Sequence, residues 1–405
     1  MDLSIIIISN NCQDYLKKCL NSIYHQNGDY ETLTNVEVII SVLNNQEITF
    51  QWIDDHNKSK IKTTIVTDQA KDFNRSRARN LGLSKAIGKK VLFLDCDVMI
   101  NPDFVKNFLK KIDDNVIGIH YLYGYKVQND DELAALIKRP NPFQNLDFSC
   151  KDLLDYREPE YELHTDDVNK SLTPWSFAWG SVLSVNRETA NSINGFDENF
   201  TDWGIEDTDF SLRLFKLGQK FVVDRDSFGL HIPHVSQVNS PSTTSNKKLF
   251  FQKFPSFATE LTLFYPTFLI DKIVSEITQC YLFNTNLNDE IINEINQQIE
   301  PFQKSLALGV RLDCEVKSLN FNTFFIVDPH EKRYKKQVYN KTIINAVGLL
   351  SDYADNEFDV AYIFDSLQFL PATIYRKILN EMWRISKRVI ETKLISSFGP
   401  YQKTI

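Results

Sequence analysis

The chain has 405 residues, more than one ordinary domain holds and enough for two. Apolar residues make up 42% of the sequence and aromatic residues 12%, which excludes a disordered chain. The 45 basic and 53 acidic residues leave a net charge of −8, which argues against nucleic-acid binding as the main function. The same acidity disfavours tight docking on an anionic membrane, although a local basic patch would still permit peripheral contact.

The cysteines and the apolar segments predict a cytoplasmic protein. The six cysteines are scattered, contain no CxxC pair and predict reduced thiols. No basic residues precede the first apolar run, as they would in a secretion signal. The longest other apolar stretch, Leu261 to Ile270, is too short to span a bilayer. Peripheral contact at the inner face of the membrane remains open.

Strand and helix signals alternate over the first hundred residues, which predicts a mostly parallel α/β sheet. The predicted strands are Leu3 to Ser9, Val36 to Leu43, Lys62 to Thr67 and Val91 to Leu94, and the predicted helices are Asp14 to His25 and Arg77 to Ile87. Ligands of such sheets bind at the carboxyl ends of the strands. Asp95 and Asp97 follow one of these strands directly.

The middle of the chain predicts an insertion followed by further strands and helices. Residues 126–174 lose clear periodicity and predict a partly helical insertion. Strands are predicted at Phe177 to Val185 and Lys220 to Val223, with a helix at Ile205 to Leu217 between them. The polar run Asn239 to Asn246 predicts a loop.

The pattern divides the chain into an α/β domain at 1–248, a helical linker or subdomain at 249–300, and a smaller α/β Rossmann-like domain at 301–405. In the last region, strands end at Asp328 and Asp365, and Ala372 to Ser386 predicts an amphipathic helix.

Four sites in residues 72–234 carry candidate chemistry. Asp95 and Asp97 form a DxD pair that can hold a divalent cation against a diphosphate; the alternative is two solvated loop acids. Arg75, Arg77 and Arg79 lie at a loop-to-helix junction that suits phosphate, although a plain basic helix face fits equally.

The other two sites follow in the second half of the first domain. Glu206, Asp207 and Asp209 open a helix behind Trp203, a combination that suits a sugar, and simple helix capping is the alternative. His231 and His234 can share one metal with a distant aspartate, although a lone histidine is usually structural.

In this order, the FNR…ARNLG, DxD, FxxGS, NGFDENF, WGxED and HxxH motifs resemble the β-1,4-galactosyltransferases and the related bacterial family 2 glycosyltransferases of the GT-A fold. The resemblance covers residues 3–240. It implies Asp207 as catalytic base and Asp97, His231 and His234 as ligands of Mn²⁺, with Mg²⁺ as the alternative. It further implies acceptor binding by Trp203, Glu206 and Asp209, and donor binding by Phe73, Asn74, Arg75, Arg79, Asp95 and Gly180.

This resemblance implies an inverting, metal-dependent hexosyltransferase. The expected donor is UDP-galactose or UDP-N-acetylgalactosamine, and the expected acceptor is a sugar hydroxyl of a surface glycan or glycoconjugate. The sequence departs from the family at Ile205, which replaces the second glycine of the usual Trp-Gly-Gly, and at Ser9 to Cys12, which lack the usual arginine. A non-catalytic nucleotide-sugar-binding scaffold is the alternative.

The last hundred residues resemble the later half of a class I methyltransferase, on the run Phe358 to Pro371 and the helix after it. The glycine-rich loop that binds the cofactor in that family is missing, since only Leu308-Gly309-Val310 lies nearby. We therefore expect a non-catalytic remnant used for packing, partner binding or homo-oligomerisation. A working methyltransferase or bifunctional enzyme is the alternative.

Overall fold

The computed structural model describes residues 1–10, 12–43, 60–69, 72–111, 116–127, 131–234, 243–282, 287–310, 315–328 and 334–392. The chain forms two compact units, Met1–Leu249 and Phe250–Ile405. Each unit contains one sheet flanked by helices, so the predicted fold class is confirmed: a mixed α/β protein with a large, mainly parallel sheet and a second sheet in the C-terminal region.

The described residues of the first unit hold eight strands and, before residue 243, eight α-helices. The strands are β1 (Leu3–Ser9), β2 (Val36–Leu43), β3 (Lys62–Asp68), β4 (Lys90–Asp95), β5 (Val98–Ile100), β6 (Val116–Tyr123), β7 (Val182–Asn186) and β8 (Lys220–His231). The helices are α1 (Gln13–Tyr24), α2 (Tyr30–Thr34), α3 (Arg75–Lys85), α4 (Phe104–Lys111), α5 (Asp131–Ile137), α6 (Glu158–Leu163), α7 (Arg187–Ser192) and α8 (Glu206–Lys216).

The strand order of this sheet is β3-β2-β1-β4-β7-β6-β8-β5. Strands β3, β2, β1 and β4 are parallel, so their carboxyl ends share one edge. Both faces of β1 and β2 are buried, as their continuous β-branched runs predict. Leu16 and Ile23 of α1 and Phe104 and Phe108 of α4 pack on this half of the sheet.

Several predicted limits in this unit were wrong. β7 begins at Val182, and Pro174–Phe177 forms a 3₁₀ turn instead, with Pro174 at the start of the turn, where a missing N–H costs nothing. β8 continues to His231 because residues 229–231 pair with β5. Helix α3 begins earlier, since the Asn74 side chain accepts the N–H of Arg77 and caps it.

The predicted loop Asn239 to Asn246 was wrong over its second half. Helix α9 covers Thr243–Lys253, and the part before Thr243 lies outside the described residues. Asn246 donates to the carbonyls of Asp202 and Gly204, which fixes the start of this helix.

The second unit contains a six-stranded sheet in the order β11-β12-β10-β9-β13-β14. Its strands are β9 (Ser305–Leu308), β10 (Thr323–Ile326), β11 (Lys335–Val338), β12 (Lys341–Asn345), β13 (Val360–Ile363) and β14 (Val389–Glu391). Its helices are α10 (Phe257–Phe264), α11 (Thr267–Leu282), α12 (Asp289–Ile299), α13 (Glu315–Ser318) and α14 (Ala372–Ile385). All its strand pairs are parallel except the β11–β12 hairpin.

Successive side chains of these strands pack into two hydrophobic cores, one on each face of the sheet. Leu308 and Phe325 face a cluster with α10, α11 and α14, while Ala307 and Phe324 face a cluster with α12. This alternation is what a sheet covered by helices on both faces requires. Gly309 follows β9 with φ +86°, and a Cβ there would lie 2.8 Å from Ser366 Oγ. The resemblance to a methyltransferase remains a prediction.

A buried carboxylate holds together the loop after β12, and we expect Glu260→Gln to destabilise the second unit. Glu260 is fully buried and accepts the backbone N–H groups of four successive residues, 347–350. Glutamine would turn an amide NH₂ towards at least one of these donors, at a cost of about 1–3 kcal/mol. Urea unfolding followed by circular dichroism should show this loss, whereas Glu294→Gln, at an exposed position of α12, should unfold like the wild type. Equal stability of the two variants would contradict this role.

Within the described ranges, no helix has the length and apolar character needed to cross a bilayer.

Candidate active site

The DxD pair lies where four parallel strands end and where β5 returns along β8. Asp95 is the last residue of β4, and Asp97 precedes β5. Val98 pairs with His231, and the N–H of Ile232 donates to the Asp97 carbonyl at 2.8 Å. These backbone contacts bring residues more than 130 positions apart in sequence to one place.

Asp97, His231 and His234 form a cluster that can hold a metal. Asp97 Oδ2 lies 3.9 Å from His231 Nε2 and 3.6 Å from His234 Nε2, and one ligand atom from each residue lies within 4.8 Å of the others. Burial, followed by the nearby charge of His234, lowers the pKa of His231 to about 4. Its imidazole is therefore neutral at pH 7, the form that binds a metal.

The surroundings of the cluster fit a divalent cation. Burial raises the pKa of Asp97, which shows that its charge lacks full compensation. Two imidazoles and one carboxylate are a donor set that suits Mn²⁺, because imidazole binds transition metals better than it binds Mg²⁺.

Asp207 sits in the first turn of α8 and is held by two backbone donors. Its Oδ2 accepts the N–H of Gly180 at 2.9 Å and its Oδ1 that of Thr208 at 2.8 Å. Burial, followed by the charge of Glu206, raises the pKa of Asp207 to about 6. A carboxylate with this pKa is well suited to accept a proton near neutral pH.

Arg79 links the DxD pair to the acidic helix start. Its guanidinium is buried, 3.1 Å from Asp95 Oδ1 and 3.0 Å from Glu206 Oε1. The charges of these two partners outweigh burial, so the pKa of Arg79 is raised. A Cβ on Gly180 would lie 2.8 Å from Arg79 Nη2, so only glycine leaves this space free. Arg79 therefore fixes the relative positions of two predicted site segments.

The turn before α8 has an unusual backbone. Gly204 has φ +82° and Ile205 has φ +76°. The second value is left-handed, a conformation that a β-branched residue adopts only where its surroundings impose it. The family's glycine would adopt it freely, so the departure at Ile205 places strain directly before Glu206 and Asp207.

The remaining predicted donor residues lie at the start of α3. Phe73 packs on a small cluster with Ile8 and Leu43, and the Arg75 guanidinium lies 5.8 Å from the Phe73 ring centre. The Asn74 amide caps α3 and donates to the Glu198 carbonyl, so it serves the local fold. Arg77 pairs with Asp68.

The predicted acceptor residues occupy different environments. Trp203 is half-buried, and Glu206 is buried with Oε1 on Arg79. Asp209 is fully buried, and its Oδ2 accepts from Arg213 Nε at 2.7 Å. Glu206 thus contacts Arg79 next to Asp207, while Asp209 forms an ion pair within α8.

The expectation that all cysteines are reduced was wrong for one pair. The structure joins Cys12, after β1, to Cys96, between the two aspartates of the DxD pair. β1 and β4 are neighbouring parallel strands, so the residues after them lie side by side. The 84-residue separation in sequence concealed this contact. Among the described residues, Cys19 and Cys150 carry free thiols.

Sequence reasoning missed two aromatic residues of the site, Tyr125 and Trp179. The Tyr125 ring centre lies 5.3 Å from that of His231 and 5.2 Å from that of Trp179. Tyr125 lies at the edge of the segment read as an insertion, where periodicity gave no signal. Trp179 stands directly before Gly180, so the FxxGS motif could have indicated it.

Two family models match the first unit. Residues 4–158 match the model described as glycosyl transferase family 2, and residues 165–235 match the model described as the N-terminal domain of galactosyltransferase. The first match contains Asp95 and Asp97, and the second contains Asp207, His231 and His234.

Curated relatives resemble part of this chain. Validoxylamine A glucosyltransferase of Streptomyces hygroscopicus subsp. jinggangensis is 27% identical over 64% of this chain and 62% of its own length. Hyaluronan synthase of Pasteurella multocida is 29% identical over 54% of this chain and 23% of its own length. The chain thus spans about three fifths or less of the length of these relatives.

Among solved structures, S. aureus TarS 1-349 aligns with 74% of this chain and 80% of its own at 17% identity, with a TM-score of 0.44. The two family matches adjoin in the order expected from the motifs, and together they contain the clustered carboxylates and histidines. Residues 4–158 are therefore similar to the family 2 glycosyl transferases, and residues 165–235 are similar to the N-terminal domain of galactosyltransferase.

Proposed function

We propose that this protein is an inverting, metal-dependent glycosyltransferase that moves a hexose from a UDP-sugar to a sugar hydroxyl. The observation that carries the proposal is the cluster of Asp97, His231 and His234, together with Asp207, a second carboxylate whose pKa is raised to about 6. The charges of Asp97 and Asp207 both act on Tyr125. The first feature suits a diphosphate bound through a cation, and the second suits a general base.

The metal cluster would hold the donor. Asp97, His231 and His234 would bind Mn²⁺, with Mg²⁺ as the alternative, and a bound cation would offset the negative charge of the departing UDP. Burial raises the pKa of both Asp95 and Asp97, and the charge of Arg75 partly offsets each shift, so Arg75 lies close enough to interact with a phosphate here.

The base would act on the acceptor. Asp207, held by the N–H groups of Gly180 and Thr208, would take the proton of the acceptor hydroxyl as its oxygen attacks the anomeric carbon. The C–O bond to the diphosphate breaks in the same displacement, and UDP leaves with the electron pair. One displacement from the opposite face inverts the anomeric centre.

The proposed donor is UDP-galactose or UDP-N-acetylgalactosamine, on the galactosyltransferase-like motifs. The names of the relatives widen the set to be tested, since they include a glucosyltransferase and the hyaluronan and chondroitin synthases. A screen of UDP-glucose, UDP-galactose and their N-acetylamino forms for slow hydrolysis, with Mn²⁺ and no acceptor, tests the proposal directly. Hydrolysis of none of them would contradict it.

Removal of the metal should abolish this hydrolysis. We expect no turnover in EDTA and recovery on addition of Mn²⁺, with weaker recovery in Mg²⁺ because two of the three ligands are imidazoles. UDP release measured in each condition provides the readout. Full activity in EDTA would show that the cluster is not a metal site.

A further inference from the structure

Three aromatic residues beside the metal cluster form a continuous surface, which we call the aromatic wall: Tyr125, Tyr156 and Trp179. The Tyr125 and Trp179 ring centres are 5.2 Å apart, and Tyr156 lies 6.4 Å from Tyr125 and 6.3 Å from Trp179. All three side chains are half-buried, so each keeps part of its surface accessible. Adjacent rings that remain accessible beside polar groups are typical of ligand sites.

The wall extends from the metal cluster to the base. At one end, the Tyr125 ring centre lies 5.3 Å from that of His231. At the other end, Trp179 directly precedes Gly180, whose N–H holds Asp207 at 2.9 Å. Burial, and then the charges of Asp207, Asp97 and Asp95, raise the pKa of Tyr125, which agrees with a position among these carboxylates.

A buried ion pair of Arg157 and Asp155 packs against Trp179 of the aromatic wall. The Arg157 guanidinium lies 4.5 Å from the Trp179 ring centre, within the range of a cation–π contact. Arg157 binds both carboxylate oxygens of Asp155 and donates to the carbonyls of His120 and Phe177. Arg157 and Asp155 are both almost fully buried, so the side chain that Trp179 contacts is held rigidly in place.

We infer that the aromatic wall binds the transferred sugar of the donor. The inference rests on the proposed function, in which the metal cluster holds the diphosphate and Asp207 faces the acceptor hydroxyl. The group between diphosphate and acceptor is the donor hexose, and the wall runs between the two. One face of a hexose presents C–H groups, which pack on aromatic rings, while its hydroxyls can reach the carboxylates.

The test compares the binding of UDP with that of UDP-sugars. Wild-type protein is titrated calorimetrically in Mn²⁺ with UDP and with the four UDP-hexoses of the screen, and the same is done for Trp179→Leu and Tyr125→Leu. We expect each variant to bind the preferred UDP-hexose about tenfold more weakly, with the affinity for UDP unchanged. Trp175→Phe is the matched control, because Trp175 belongs to the same segment but is buried against Phe215. Trp175→Phe should bind UDP and the preferred UDP-hexose with wild-type affinity.

Three outcomes would overturn the inference. Unchanged UDP-hexose affinity in both leucine variants, in protein that hydrolyses donor normally, would remove the wall from the donor site and leave the proposed function standing. Unchanged donor affinity with a raised KM for acceptor would assign the wall to the acceptor instead. Failure of the wild-type protein to bind any of the UDP-hexoses would overturn the proposed function and this inference together.

Discussion

Asp97→Ala should weaken the binding of UDP in Mn²⁺ by about 100-fold or more, because it removes the only carboxylate of the three-residue metal cluster found in the described part of the chain. His231 and His234 alone would hold the cation poorly. Without the cation, the diphosphate would face the negative charge of Asp95, and the guanidinium of Arg79 is already paired with that carboxylate. Calorimetric titration with UDP, with and without Mn²⁺, measures the effect.

The variant should retain its fold, since the polar contacts of the Asp97 side chain are with the two histidines. Asp103→Ala is a suitable control: Asp103 follows shortly in sequence, and its side chain accepts from Asn27 at 3.2 Å, away from the cluster. The control should bind UDP as the wild type does. If Asp97→Ala still gained affinity from Mn²⁺ like the wild type, the cation would lie elsewhere.

The half of the sheet that carries the DxD pair could be predicted from sequence. The apolar runs of β1, β2 and β4 have no amphipathic alternation, which favours a parallel sheet covered on both faces. Once they are parallel, their ends meet at one edge, and Asp95 has to lie there. The prediction followed from local pattern and from a general rule of topology.

The links between distant segments could not be predicted in this way. Arg79 contacts Glu206 across 127 positions, and the space that requires Gly180 is created by that same arginine. The sequence around Arg79 and around Gly180 does not reveal these contacts, because the pattern of a helix face does not show which buried partner an arginine meets. The resemblance placed both at the donor, but only the packing shows how they position Asp95 and Asp207.

The aromatic wall illustrates a second limit. Tyr125 and Tyr156 both follow β6, and weak periodicity marks residues 126–174, which contain Tyr156 and begin directly after Tyr125, as an insertion. Its order depends on Arg157 and Asp155, two charged residues that are rarely buried unless they pair. Two charged residues two positions apart in a polar segment are typical of an exposed surface. The sequence therefore could not show that Asp155 and Arg157 are buried and support Trp179.

Asp207→Asn should lower the turnover number by about 10²- to 10⁴-fold while leaving the Kd for UDP within a few-fold of the wild-type value. Asparagine cannot take the acceptor proton, and the donor is held at the metal cluster, to which Asp207 contributes no ligand atom. Asp207 accepts two N–H groups, so the amide of the variant must turn one NH₂ towards a donor. The Tm of the variant should therefore be recorded with its kinetics, to separate a lost base from a displaced helix start.

The pH profile provides the sharper test of Asp207. A base with a pKa raised to about 6 is protonated below that value, so the wild-type turnover number should fall about tenfold per pH unit below pH 6 and level off above it. The pKa of His231, lowered to about 4, places its titration below this window. Asp207→Asn should lose the limb near pH 6 as well as the rate. If Asp207→Asn kept the fall in turnover number below pH 6 and a near wild-type rate, Asp207 would not be the base. Glu206 would then be the next candidate, because its buried carboxylate is next to Asp207 in the chain.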